Sequence, residues 1–186
     1  MNFTLLIFIL LFFGMSLAAF QRPVWGFAVY AMAFFTHPAY WWWGETIKTP
    51  RWSLIAGIVF LVASLIAGKW FVIDTDKWRR RTLIFCILML VNATLVHVLL
   101  APSLTVSEDA FILLAKFVLL VGMIVASVKS RKDFAIVVLT LSLGIGYWGF
   151  EATINKRGHI VDNRLEGIGG PGTFGANQLA SCIVTC

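Results

Sequence analysis

The sequence predicts an all-α, polytopic integral membrane protein: a helix bundle of about six transmembrane helices plus the start of a seventh. Three observations carry this. Hydrophobic residues make up 60% of the chain and charged residues only 13%, and the mean hydropathy is +0.88, too apolar for a soluble domain. Apolar stretches of about the length that a helix needs to cross a hydrocarbon core recur along the chain. Each is bounded by charge, Pro or Gly, as required if backbone hydrogen bonds close inside lipid and open only outside it.

The expected spans are 3–20, 24–43, 52–68 with a possible extension to 73, 82–100, 111–128 and 134–150, together forming a transmembrane domain over 1–150. An exterior Gly-rich loop over 151–176 follows, and a further helix starts at 177–186. The first stretch, TLLIFILLFFGMSLAAF, ends in small residues like a signal peptide. No Lys or Arg precedes it and its apolar run is longer than a usual signal core, so it is expected to remain as the first helix. The second stretch is the least regular. Pro38 removes a donor and biases His37 away from helical geometry, predicting a kink or an early exit there. The following YWWWG is expected as interfacial aromatics, with a carbohydrate-stacking platform as the alternative.

The net charge of +6 is assigned to topology before any acidic partner, and no nucleic-acid partner is expected. The 69–81 connection carries Lys69, Lys77, Arg79, Arg80 and Arg81, and 129–133 carries Lys129, Arg131 and Lys132, whereas APSLTVSED between them carries no cation. Alternation then puts Arg22 and both basic connections inside. The amino terminus, the 45–51 loop, APSLTVSED and the 151–176 loop fall outside. This places nine Lys and Arg residues inside against five outside.

Cys86, Cys182 and Cys186 lack metal-ligand spacing and are expected to be ordinary small apolar residues. Neither GxGxxG after a strand nor GxxxxGK[ST] occurs, and HExxH, a nucleophile elbow and a carboxylate pair on one helix face are missing too. Lys116 lies about five residues inside the fifth stretch, roughly 8 Å deep at about 1.5 Å per residue. It is expected either to snorkel or to hold an anion in a wet cavity between helices. His97 has a similar depth in the fourth stretch and is expected as a helix-packing residue. Glu151 is the one carboxylate with a prospect of approaching a substrate, and is expected at the interface. The loop INKRGHIVDNRLEGIGGPGTFGAN carries Lys156, Arg157, His159 and Arg164 ahead of several glycines and a helix start. Glycines let backbone amides approach a ligand, and unpaired N–H groups at a helix start suit anions. Small residues on the third and sixth stretches (Ser64, Ala67, Gly68; Gly144, Gly146, Gly149) allow close approach of other helices.

The run RLEGIGGPGTFGANQLAS resembles a pattern of the O-antigen ligase and O-antigen polymerase family of bacterial membrane proteins. There an Arg precedes G-x-F-G, then Asn and a small-residue helix, positions held here by Arg164, Gly172, Phe174, Gly175, Asn177 and Ala180. RPVWGFAVYAMAFFTHPAYWWWG, LLAKFVLLVGMIVASVKSRKDF and LSLGIGYWGFEA resemble matching regions of the O-glycosylation ligases associated with exosortase A-type systems. His37, where relatives often carry Asn, and Ala39, where they carry a charge, depart from the pattern. The resemblance covers most of this chain but only the amino-terminal part of the family, whose members have ten or more spans and a base histidine in a later exterior loop. It implies a truncated product, a fragment or a separately encoded domain, inactive alone.

The activity the resemblance implies is transfer of a glycan from a polyprenyl pyrophosphate carrier to an acceptor outside the inner (cytoplasmic) membrane, without metal, nucleotide or other cofactor. Lys116 and Arg164 become the expected contacts to the lipid pyrophosphate, and Gly172, Phe174, Gly175 and Asn177 a loop motif. No catalytic residue is assigned: His97 and His159 are poor candidates for the base. The implied partners are the bilayer, the lipid-linked glycan, its acceptor, and further helices of a missing half or of a partner subunit. The alternatives are a polymerase, or a non-catalytic protein serving as a transporter part or as a structural partner in exopolysaccharide assembly.

Overall fold

A computed structural model describes residues 3–41, 43–67, 77–101, 103–156, 158–161 and 164–166. Six α-helices follow in order: α1 Phe3–Gln21, α2 Val24–Phe35, α3 Trp52–Ile66, α4 Lys77–Leu95, α5 Leu104–Ser127 and α6 Arg131–Thr153. Two three-residue strands, β1 His159–Val161 and β2 Arg164–Glu166, pair antiparallel with Val161 opposite Arg164. These strands lie inside the segment assigned from sequence to an exterior loop. The expected start of a seventh helix at 177–186 is outside the described residues.

Among the described residues, four helical stretches are long and apolar enough to cross a membrane: Phe3–Gln21, Arg80–Leu100, Ala110–Ser127 and Arg131–Thr153. The chain is a membrane protein of helical-bundle architecture. Helices α2 and α3, of 12 and 15 residues, are shorter. The second apolar stretch was expected over 24–43 with a kink or an early exit at Pro38; helix α2 stops at Phe35 and gives way to a 3-10 turn over Pro38–Tyr40. The proline supplies the reason: its missing N–H and its clash with the preceding turn exclude a continuous helix.

Helix α2 forms the axis of the core. It packs against α1, α3 and α6, and Val24, Gly26, Phe27, Ala28, Val29, Ala31, Ala33 and Phe35 are all buried. Glycine at position 26 makes the α2–α3 approach possible, because a Cβ there would lie 2.7 Å from the Phe60 ring and 2.9 Å from the Phe60 Cα. Helix α1 turns Leu5, Phe8, Phe12, Ser16 and Ala19 inward at helical spacing. Phe8 and Phe12 pack on Trp52 with ring centroids 5.5 Å and 4.9 Å apart. Trp52 Nε1 in turn donates to the carbonyl of Ile47 at 2.8 Å, fixing the chain between α2 and α3.

Helices α4 and α5 form a peripheral hairpin. Helix α4 packs mainly on α5, and Cys86 is the one buried side chain among its described residues. Near its carboxyl-terminal end α5 returns to the core through Met123, Ala126 and Ser127. There Ser127 Oγ and Ser64 Oγ of α3, both buried, are hydrogen-bonded at 3.1 Å. Such interhelical bonds in apolar surroundings are worth about 0.6 kcal/mol on average.

Candidate functional site

The two ends of the bundle differ in chemistry. At one end Arg22, between α1 and α2, reaches across to Asp133 in the first turn of α6, with Nη2 to Oδ1 at 2.5 Å. Ser130 caps α6: its Oγ accepts from the Asp133 amide at 3.2 Å and donates to Asp133 Oδ2 at 2.8 Å, while the Lys129 amide donates to Oδ2 at 3.1 Å. The serine at the N-cap thereby satisfies the Asp133 amide, one of the donors left open by a helix start. Asp133 precedes the apolar run that begins at Phe134, so it lies outside the membrane-spanning segment. Burial pushes its carboxyl up, but the hydrogen bonds from Ser130, Arg22 and the Lys129 amide, with the Arg22 charge, outweigh that and hold it below the usual carboxylate range. This pair brings Arg22 to the same end as the 129–133 connection, which is the arrangement expected from the charge distribution.

The opposite end is built where α2 leaves the helix. In a continuous helix the Phe35 carbonyl would accept from residue 39. Here Trp148 Nε1 of α6 donates to it at 2.8 Å, in surroundings where an orphaned carbonyl costs several kcal/mol. Phe35 also packs against Gly144, where a Cβ would collide with its ring. Gly144 therefore serves a neighbour already in place, while Gly146 and Gly149 meet nothing within 4 Å among the described residues. Trp41 packs on Tyr147 at 5.0 Å between centroids, and Trp43 on Phe8 at 5.2 Å. Both tryptophans are buried. They were expected on the membrane interface or as an exposed sugar platform. The structure packs them against protein, Trp41 on α6 and Trp43 on α1. Trp42 lies outside the described residues.

Glu151, expected at the interface, is buried at 4% exposure, and its Oε2 accepts from Asn155 Nδ2 at 2.8 Å. The i, i+4 spacing from Glu151 to Asn155 was the sequence signal for this pairing. Beyond α6 the chain turns through Lys156 and Gly158, both with positive φ (51° and 90°), into β1.

Lys116 continues the α5 stripe of Leu120, Met123 and Ser127. Its carboxyl-terminal members pack on the core, but Lys116 itself is exposed. Toward its amino-terminal half α5 therefore leaves the core and packs mainly on α4, and Lys116 lies in that half. Arg164 belongs to β2, with only its backbone described. His159 pairs through its backbone with Glu166. Gly172, Phe174, Gly175 and Asn177 lie outside the described residues, as do Cys182 and Cys186. Lys116 and Arg164 are thus located by helix and strand; no contact between them is described.

His97 packs against α5, as expected of a helix-packing residue. Its Nδ1 is 2.7 Å from Ser107 Oγ of α5, and its ring stacks on Phe111 with centroids 4.8 Å apart and planes 7° from parallel. A π-helical turn, Val96–Leu100, closes α4 and contains it. Such wide turns frequently mark functional positions. No group of three or more potential metal ligands occurs among the described residues.

No family model matches this sequence, and no curated protein or solved structure matches it.

Proposed function

We propose that this chain is the amino-terminal, six-span part of an inner-membrane glycosyltransferase resembling the O-antigen ligases, which takes a glycan from a polyprenyl pyrophosphate carrier on the outer side. In this proposal α2 and α3 cross together with the four longer helices. The irregular 36–51 segment, packed beneath aromatic rings, completes the passage of these two short helices. The end holding Arg22 and Asp133 faces the cytoplasm, and the end holding Glu151 and the β1–β2 hairpin faces outward.

The observation that carries the proposal is Lys116. An ammonium on the core-facing stripe of α5, exposed at the level where that helix parts from the bundle, is a costly group in a membrane and suits an anion brought there by a lipid. Leaving pyrophosphate demands cations of this kind. Arg164, at the outer end and next to the glycine-rich segment, is assigned as the second.

The test is equilibrium binding of polyprenyl pyrophosphate to the purified chain in lipid nanodiscs. Lys116→Ala and Arg164→Ala should each weaken binding about tenfold or more, as expected for a lost charge-assisted contact. Equal binding by both variants and the unaltered chain would overturn the assignment, and no binding by any of them would overturn the function.

A further inference from the structure

The geometry points to the base of the α4–α5 hairpin as a docking surface for an anionic phospholipid. Its headgroup phosphate lies between the start of α4 and the α5–α6 connection, and its acyl chains run along the side of α4 turned away from α5. The surface belongs to the Arg22–Asp133 end of the bundle and stands independently of the transferase proposal.

Helix α4 opens on KWRRR and then runs apolar. Its less exposed residues, Leu83, Cys86, Leu90, Ala93 and His97, recur every three or four positions and form the seam toward α5, its main neighbour. Away from that seam Arg80 and Arg81 are exposed, and Ile84, Phe85, Leu88 and Val91 follow them at 44–61% exposure. Arg80 stands four residues before Ile84, and Arg81 four before Phe85 and seven before Leu88. Each guanidinium thus heads an apolar stripe one turn further on. A phospholipid has the same order, a charged head followed by two hydrocarbon chains.

The α5–α6 connection supplies the other half. Helix α4, with its closing π-helical turn, is about as long as α5 and joins it through residues 101–103, so the two pack antiparallel and the start of α4 shares a level with the end of α5. At that end Lys129, Arg131 and Lys132 are exposed too. Asp133, the one acid described there, is taken up by Arg22, Ser130 and the Lys129 amide. The cations of two elements therefore share one end, where the amino-terminal dipoles of α4 and α6 add to their field. Charge complementarity selects the occupant. A zwitterionic headgroup brings its own ammonium into this field, and a free anion leaves the apolar stripes unused, whereas an anionic phospholipid matches both. Its phosphate also offsets the repulsion among the like charges, tying the hairpin to α6, with which neither α4 nor α5 packs extensively.

Native mass spectrometry of the full chain, released from detergent with dioleoyl phosphatidylglycerol or dioleoyl phosphatidylcholine added, tests this. Phosphatidylglycerol should bind about tenfold more tightly than phosphatidylcholine, and Arg80→Gln combined with Arg81→Gln should remove most of that preference. Lys129→Gln combined with Lys132→Gln should do the same through the other element. Lys48→Gln combined with Arg51→Gln, which removes two exposed cations elsewhere, should leave the preference intact. Equal binding of the two lipids by the unaltered chain, or an equal loss in the Lys48 and Arg51 variant, would overturn the inference. Displacement of bound lipid by millimolar inorganic phosphate would overturn it as well, since the site would then serve a free anion. Phosphatidylglycerol should also raise the thermal unfolding midpoint of the unaltered chain and not that of the Arg80 and Arg81 variant. A rise of equal size in both would show that the lipid acts elsewhere.

Discussion

The α1–α2–α3–α6 core and the α4–α5 hairpin are both built of apolar helices, yet they use that property in opposite ways. In α2 nearly every turn is buried and small residues recur, with Gly26, Ala28, Ala31 and Ala33 letting neighbours approach. In α4 the large side chains Phe85, Ile87 and Leu88 are each about 60% exposed, and the described residues bury only Cys86. Without water there is no hydrophobic force between helices, so association follows from close packing and interhelical hydrogen bonds. The core has both kinds of contact and the hairpin few. Apolar character in α4 is therefore suited to lipid, and in α2 to protein.

The sharpest way to break this contrast is to put volume where the core has none. Gly144→Leu should displace Phe35 and Trp148 and cost about 3 kcal/mol or more, typical of overpacking that also disturbs a hydrogen bond. Leu88→Ala on α4 should cost far less, because no protein cavity forms. Steric-trap or detergent unfolding of both variants measures the difference, and equal losses would erase the distinction between core and hairpin.

Next in size is the ion pair that joins the α1–α2 turn to α6. Arg22→Ala leaves the buried Asp133 carboxylate with Ser130 and one amide, and should cost about 1–3 kcal/mol. The upper range for a fully buried pair does not apply, since the Arg22 side chain is half exposed. Because the folded-state pKa of Asp133 is depressed, its contribution is present above the ordinary carboxylate pKa and is lost as pH falls through the lower folded value. Stability of the unaltered chain should thus drop below about pH 5 by more than that of Asp133→Asn. Parallel acid-unfolding curves check this.

Trp148→Phe keeps the ring contact with Phe35 but removes the donor to its carbonyl. A loss of about 1–2 kcal/mol is expected, and backbone hydrogen exchange at residues 36–41 should rise with it. The smallest effect belongs to Ser64→Ala, about 0.6 kcal/mol for the bond to Ser127. A substantially larger value would mean that α5 is held to the core more firmly than its burial indicates.

Much of the helical layout was legible in the sequence because hydropathy and proline placement act locally. Pro38 announced the end of α2, and the basic 129–133 connection marked one end of the bundle, where Arg22 and Asp133 are found together. Which face of each helix meets protein was not legible, since lipid and protein interiors ask for the same side chains. Long-range pairs were hidden too. Arg22 and Asp133 are 111 residues apart, and nothing local links Trp148 to the Phe35 carbonyl. Of the site, Lys116 stood out as a charge in an apolar run. The contact of His97 with Ser107 runs across a short connection between α4 and α5, a relation visible only once the two helices are paired. The burial of Trp41 and Trp43 was missed because an interfacial girdle and a core plug have the same composition.

The most direct test of the central claim is sidedness. Single cysteines at Lys48, Lys129 and Lys156, introduced with Cys86, Cys182 and Cys186 replaced by Ser, would be labelled in sealed, right-side-out vesicles with a membrane-impermeant maleimide. The six-span account predicts labelling of Lys48→Cys and Lys156→Cys from outside, with Lys129→Cys labelled only after the membrane is opened. External labelling of Lys129→Cys and Lys156→Cys alike, or protection of Lys48→Cys, would contradict it.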